Sequence, residues 1–143
     1  MMNLNKQSWR TPINFLLALL GFSDAVYLTA VHYNGAKLVC GAFGNCSTVL
    51  NSAYSTVLGV PVAILGAIYY FILIILLVLW FDTKKSLYQT LAARLTIVGL
   101  LMSLWFLGLQ IFILQAFCPF CLLSAATSIG LFIVNIRTIS KNL

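Results

Sequence analysis

The chain has 143 residues, of which 62% are hydrophobic and 7% charged, with a formal net charge of +6. Soluble domains carry about 25% charged residues, so this composition excludes an ordinary soluble protein and fits a single membrane domain over residues 1–143. The cations do not point to nucleic acid, because they are spread along the chain without interleaved aromatics on a polar face.

Residues 13–33 form the first apolar run, within the roughly 17–25 residues that a membrane-crossing helix needs. No small-x-small cleavage site follows it ahead of a soluble domain, so it reads as a retained span and not as a secretory signal. Residues 34–56 are the one long connection, and loops of that length tend to carry function. Its first half, NGAKLVCGAFGNC, holds Cys40 and Cys46 among glycines. Its second half, STVLNSAYSTVLG, puts Val49, Leu50, Ala53, Tyr54 and Val57 at helical spacing, with Ser47, Thr48, Asn51, Ser52 and Ser55 mainly opposite. That pattern predicts a short amphipathic helix on the membrane surface, with Asn45 suited to its N-cap.

Gly59 and Pro61 mark the turn into the second span, 57–81. A polar connector at 82–89, DTKKSLYQ, leads to the third span, 95–117, and the fourth, 118–136, opens on CPFC. Backbone groups in lipid have to be bonded internally, so each span is expected to be helical. The fold class is therefore all-α, an integral membrane four-helix bundle with a loop and a short amphipathic helix between helices one and two.

Lys6, Arg10, Lys84, Lys85, Arg94, Arg137 and Lys141 share one set of loops, and only Lys37 falls in the other. The positive-inside rule then puts both termini in the cytoplasm. Cys40, Cys46, Cys118 and Cys121 are all expected on the extracytoplasmic side, where disulfides persist.

Cys118 and Cys121 are three residues apart, so they share a helix face and can close a disulfide across one turn. Pro119 suits the first turn of a helix, which puts Cys118 at the N-cap, where free N–H groups and the helix dipole favour a thiolate. A static bridge is the plain structural alternative, but so short a loop contributes little; even a 15-residue loop is worth about 3 kcal/mol. Cys40 and Cys46 form a second pair, and Gly41 and Gly44 let the chain fold tightly enough to bridge them. A glycine-loosened ring can open and present its sulfurs in turn. Two such pairs on one membrane face make a thiol–disulfide relay.

These residues resemble the vitamin K epoxide reductase family in its bacterial form. The likeness covers the whole chain: four helices, a C-x5-C loop pair after helix one, the CxxC at the start of helix four, and the segment CSTVLNSAYSTVLG with Ser52 and Tyr54. The bacterial disulfide-bond-formation protein B family has the same inventory with the pairs in reverse order. The resemblance implies that Cys40 exchanges with a partner protein, Cys46 passes electrons to Cys118, and Cys121 lies nearest a quinone of the ubiquinone or menaquinone type. It also implies that Ser52 and Tyr54 help shape the quinone pocket. The implied protein is a quinone-dependent thiol–disulfide oxidoreductase of the bacterial cytoplasmic membrane that supports disulfide-bond formation. The chain ends at Leu143 without a thioredoxin-like domain, so its partner is expected to be a separate thioredoxin-fold disulfide carrier. Vertebrate-type members place a tyrosine where Ala125 stands here.

Other polar residues read as structural. Ionised, Asp24 in the first span would cost about 2.5–3.5 kcal/mol, so it is expected as a neutral acid hydrogen-bonded inside the bundle, half a membrane from the redox site, with relay of the protons that quinol formation takes up as the alternative. His32 is expected in interfacial solvent. Trp9 and Trp80 fit an aromatic belt. Tyr69, Tyr70 and Trp105 are expected to pack in the core, with lining a quinone pocket as the alternative, and Gln110 and Gln115 to join helices or touch a head group. Two rival functions remain. A metal-binding protein is disfavoured because C-x5-C exceeds the usual C-x2–4-C ligand spacing, and no metal site is expected. A non-catalytic protein with a disulfide-held loop is the other.

Overall fold

The computed structural model describes residues 10–34, 53–115 and 118–142. Four long helices run through them: α1 Arg10–Asn34, α2 Val62–Thr83, α3 Ser86–Gly108 and α4 Pro119–Asn142. Each is long and apolar enough to cross a membrane. Even α2, with 22 residues, spans about 33 Å at 1.5 Å per residue, against a hydrocarbon core of about 30 Å. The chain is an integral membrane four-helix bundle. Its helices pack in a ring, α1 on α2 and α4, α3 on α2 and α4.

Large apolar side chains such as Leu16, Phe71, Leu101 and Ile133 point outward, because lipid is as good a solvent for them as the interior. The inside is marked by small and polar residues that let helices approach. On α1 these are Ala18, Gly21 and Ala25; on α3 they are Ala92, Ala93, Thr96, Gly99 and Ser103. Trp105, expected in the core, is exposed on the lipid side.

Two neighbouring tyrosines of α2 hold the centre. Tyr70 is fully buried, and its hydroxyl reaches diagonally across to α4. There it meets the Thr127 and Ser128 hydroxyls at 2.8 Å each and donates to the Ser124 carbonyl at 2.9 Å. Gly21 of α1 makes this crossing possible, since a Cβ there would run into the Tyr70 ring. Gly99 of α3 gives Tyr69 the same clearance, and the two rings meet edge to face at 5.0 Å. Farther along, Asn14 and Asn135 exchange amide hydrogen bonds at 3.3 and 3.1 Å, tying α1 to α4.

The connections differ from expectation in instructive ways. Hydropathy marks where lipid lies, whereas helical hydrogen bonding continues through polar residues. The expected connector 82–89 is therefore mostly helix, and only Lys84 and Lys85 separate α2 from α3. Lys84 adopts a left-handed conformation, φ 55°, and its N–H caps the Trp80 carbonyl at 2.8 Å. Its ammonium lies 4.2 Å from the Phe81 ring centroid and 5.1 Å from that of Trp80, a cation–π arrangement.

The expected amphipathic helix falls largely outside the described residues. Where description resumes, Ala53–Ser55 makes one 3-10 turn, and Thr56–Val57 pairs antiparallel with Val60–Pro61. Leu58 and Gly59 both have positive φ, 52° and 81°, the signature of a tight hairpin turn. The second span thus begins at Val62, not 57. After Gly108, α3 loosens into a π-turn, Leu109–Leu114, which ends at a left-handed Gln115. The π-turn places Gln110 inside, 2% exposed.

Replacing Tyr70 with Phe leaves the α4 hydroxyls without their shared partner. The expected loss is about 1–3 kcal/mol, read as a lowered unfolding midpoint in detergent with no change in helix content at room temperature.

Candidate active site

Cys118 stands one residue ahead of the membrane-crossing segment Pro119–Lys141. Its carbonyl accepts the Leu122 N–H at 2.9 Å, the first bond of α4, which makes it the N-cap. The Cys118 N–H is directed at Gln110 Oε1, 3.4 Å away, so the π-turn of α3 braces the start of α4. Phe120 packs on Tyr27 of α1 with ring centroids 5.2 Å apart. The CxxC is therefore held between α1 and α3. Cys118 is 0% exposed, and Cys121 is half-buried.

The hydrogen bond from the Cys121 thiol, aided by the Cys121 and Phe120 backbone N–H groups and opposed by burial and the Asp24 charge, pulls the Cys118 thiol down to about 7. A thiol with that value is substantially ionised at neutral pH and can attack or leave.

Beside the pair the four helices part around a cavity of about 380 Å³, within the range of small-molecule sites. Its walls are mostly apolar, including Leu28, Met102, Phe106 and Ala125, and Cys121 opens onto them. Cys118 does not line it. The polar side chains on the walls are few: His32, Tyr54, Gln110, Ser124 and Ser128. Tyr69 also lines the cavity, and its hydroxyl has no hydrogen-bond partner among the described residues.

Residues 12–136 match the vitamin K epoxide reductase family. The chain belongs to this family. It is also similar to the thiol-disulfide oxidoreductase LTO1 of Arabidopsis thaliana, 30% identical over 124 residues, covering 81% of this chain and 33% of the relative. The chain thus spans about a third of that relative's length.

Of the site residues expected in a vitamin K epoxide reductase family member, Cys118 and Cys121 come together at the mouth of α4, and Tyr54 lies on the cavity wall. Cys40, Cys46 and Ser52 lie outside the described residues. Ala125 is also on the wall, so the position that carries a tyrosine in vertebrate-type members offers no hydroxyl here.

Three structural expectations change. His32 is on the cavity wall and not simply in interfacial solvent. Tyr69 and Tyr70 answer to both expected readings at once, packing in the core and lining the cavity. Asp24 has no hydrogen-bond partner among the described residues, and it is not half a membrane from the cysteines. The Tyr27–Phe120 contact sets α4's first turn seven residues below the end of α1, about 10 Å down. Asp24 is one helical turn farther.

Modification of Cys118 by a small thiosulfonate is expected to rise with pH through about 7. In Cys121→Ala the hydrogen-bond donor is gone, so the same curve should move toward the ordinary thiol range of about 8.5. Mass spectrometry of the quenched protein across a pH series reads both.

Proposed function

We propose that this chain oxidises the dithiol of a thioredoxin-fold partner and passes the electron pair to a membrane quinone. The observation that carries the reading is the position of Cys121. Its sulfur opens onto an apolar cavity deep enough for a ring, while Cys118, its hydrogen-bonded neighbour, stays off that cavity. Enzymes of this family are quinone-linked, and LTO1 is named for thiol–disulfide exchange.

The residues present fit such a group. The walls are largely apolar, and the unpartnered Tyr69 hydroxyl and the Gln110 amide are available for carbonyl oxygens. A bound quinone supplies a lipid-soluble acceptor for two electrons and two protons. Gln110 and Tyr69 would orient it, with Tyr54 also on the wall.

Cys40 exchanges with the partner's dithiol, and the resulting Cys46 thiolate attacks the Cys118–Cys121 disulfide at Cys118. Cys121 leaves as the thiolate facing the cavity. The partner's second thiol then frees Cys40, whose thiolate attacks Cys46 and releases Cys118, re-forming the Cys40–Cys46 disulfide. The Cys118–Cys121 dithiol re-forms its own disulfide as its electron pair passes to the quinone and its two protons are released. The cations Lys84, Lys85, Arg137 and Lys141 favour a cytoplasmic location for the end of the bundle away from the cysteines, which leaves the four thiols on the extracytoplasmic side.

In Cys121→Ala, a Cys46–Cys118 bridge is expected to accumulate, and dithiol-driven quinone reduction should fall at least about a hundredfold. Peptide mapping and quinone absorbance read the two effects. Coupled quinone reduction at the wild-type rate in Cys46→Ala would overturn the assigned order.

A further inference from the structure

The chain has two acidic residues. Asp82 sits near the end of α2 by the Lys84 turn, but Asp24 lies inside the bundle, 6% exposed. Neither Asp24 oxygen has a hydrogen-bond partner among the described residues. A buried polar group without a partner needs a reason, and in lipid the cost of an acid is higher still.

Its neighbours supply the reason. Gly21, one turn before Asp24, lies against the Tyr70 ring. Tyr27, nearly one turn after it, lies against Phe120 of the CxxC. Residues three apart share a helix face, so Asp24 sits on α1 between the residue that meets the Tyr70 ring and the residue that meets Phe120 of the CxxC. The Cys118 thiol feels its charge. The titratable groups facing it are Cys118 and Cys121 from α4 and Tyr70 from α2; Arg10 and His32, on its own helix, are near the two ends.

Converting the dithiol to a disulfide releases two protons. Cys121 opens onto the cavity and can lose its proton there. Cys118 does not line the cavity, so its proton passes to an acceptor inside the bundle. We propose that Asp24 and Cys118 share one negative charge, carried by the Cys118 thiolate with a neutral Asp24 in the reduced site, and by the Asp24 carboxylate in the oxidised site. The inference rests on Cys118 and Cys121 being the redox pair assigned above.

The balance is complete. The reduced site holds the Cys118 thiolate, the Cys121 thiol and the Asp24 acid. The sulfur–sulfur bond forms, the Cys121 S–H and Asp24 O–H bonds break, two electrons pass to the quinone, and two protons leave the site. The oxidised site holds the disulfide and the Asp24 carboxylate, so its net charge is unchanged. An incoming dithiol reverses this, returning two electrons to the pair and a proton each to Cys121 and Asp24. Moving no net charge matters in a low-dielectric interior, where an added charge is most costly.

The test equilibrates the purified full chain with reduced and oxidised dithiothreitol over a pH series that runs above the pH at which Cys118 becomes reactive toward the thiosulfonate. Wild type is expected to take up two protons per electron pair on CxxC reduction. Asp24→Asn should take up one, a twofold drop in the pH dependence of the midpoint, and Asp24→Glu should restore two. In wild type, infrared difference spectra should show a neutral carboxyl carbonyl band appearing on reduction, independent of whether any variant folds. An unchanged proton count in Asp24→Asn, or no redox-linked carboxyl band in wild type, overturns the role of Asp24 alone. A CxxC pair that does not interconvert with dithiothreitol overturns this inference and the proposed function together. Wild type that cycles with two protons but leaves menadione unreduced supports Asp24 and counts only against the quinone.

Discussion

Lipid offers no hydrogen-bond partners, and that one constraint organises this molecule. Every polar group drawn between the helices has to find a partner there or carry a cost. Tyr70 meets the demand by crossing the bundle from α2 to α4 and binding Thr127, Ser128 and Ser124. The crossing in turn requires Gly21 to lack a side chain. The Asn14–Asn135 pair does the same work farther from the cysteines. With lipid solvating the large aliphatic side chains as well as the interior would, these polar contacts and the small residues beside them set which faces pack.

The same constraint makes the exceptions informative. The Asp24 carboxyl oxygens and the Tyr69 hydroxyl are buried without partners. Tyr69 lines the cavity, and Asp24 lies three residues from the Tyr27 that packs on Phe120, so the unmet hydrogen-bonding capacity is at the CxxC end of the bundle. The π-turn at Leu109–Leu114 contributes as well. It brings Gln110 inward, where it receives the Cys118 N–H and forms part of the wall. A bundle held firmly at the level of Tyr70 can thus keep an open, incompletely bonded chamber beside the CxxC.

Much of this was legible in the residues. Four apolar runs announced four helices, and Cys-Pro-Phe-Cys announced a thiol pair at a helix start, because proline and the N-cap have fixed places there. What was hidden depended on distances between helices. The hydrophobic pattern does not show which face of α3 meets lipid, so it points Trp105 inward where the fold turns it out. Counting along α1 does not reveal where α4 begins, so the depth of Asp24 relative to the cysteines is not legible in it. His32 belonged to no motif, and only the meeting of four helices puts it on a cavity wall. Gln110 carried one faint signal, a polar residue in an apolar run, and the π-turn that gives it a role has no clear sequence mark.

In the proposed relay the CxxC pair hands its electrons to an acceptor in the neighbouring cavity. The most direct measurement mixes the anaerobic, dithiol-reduced protein with a short-chain quinone, then counts quinone consumed against Cys118–Cys121 disulfide formed. The account requires one quinone lost per disulfide gained, with both competitively blocked by a redox-inert ring of similar size. Disulfide formed without loss of quinone, or quinone unconsumed beside a persistently reduced pair, would contradict it.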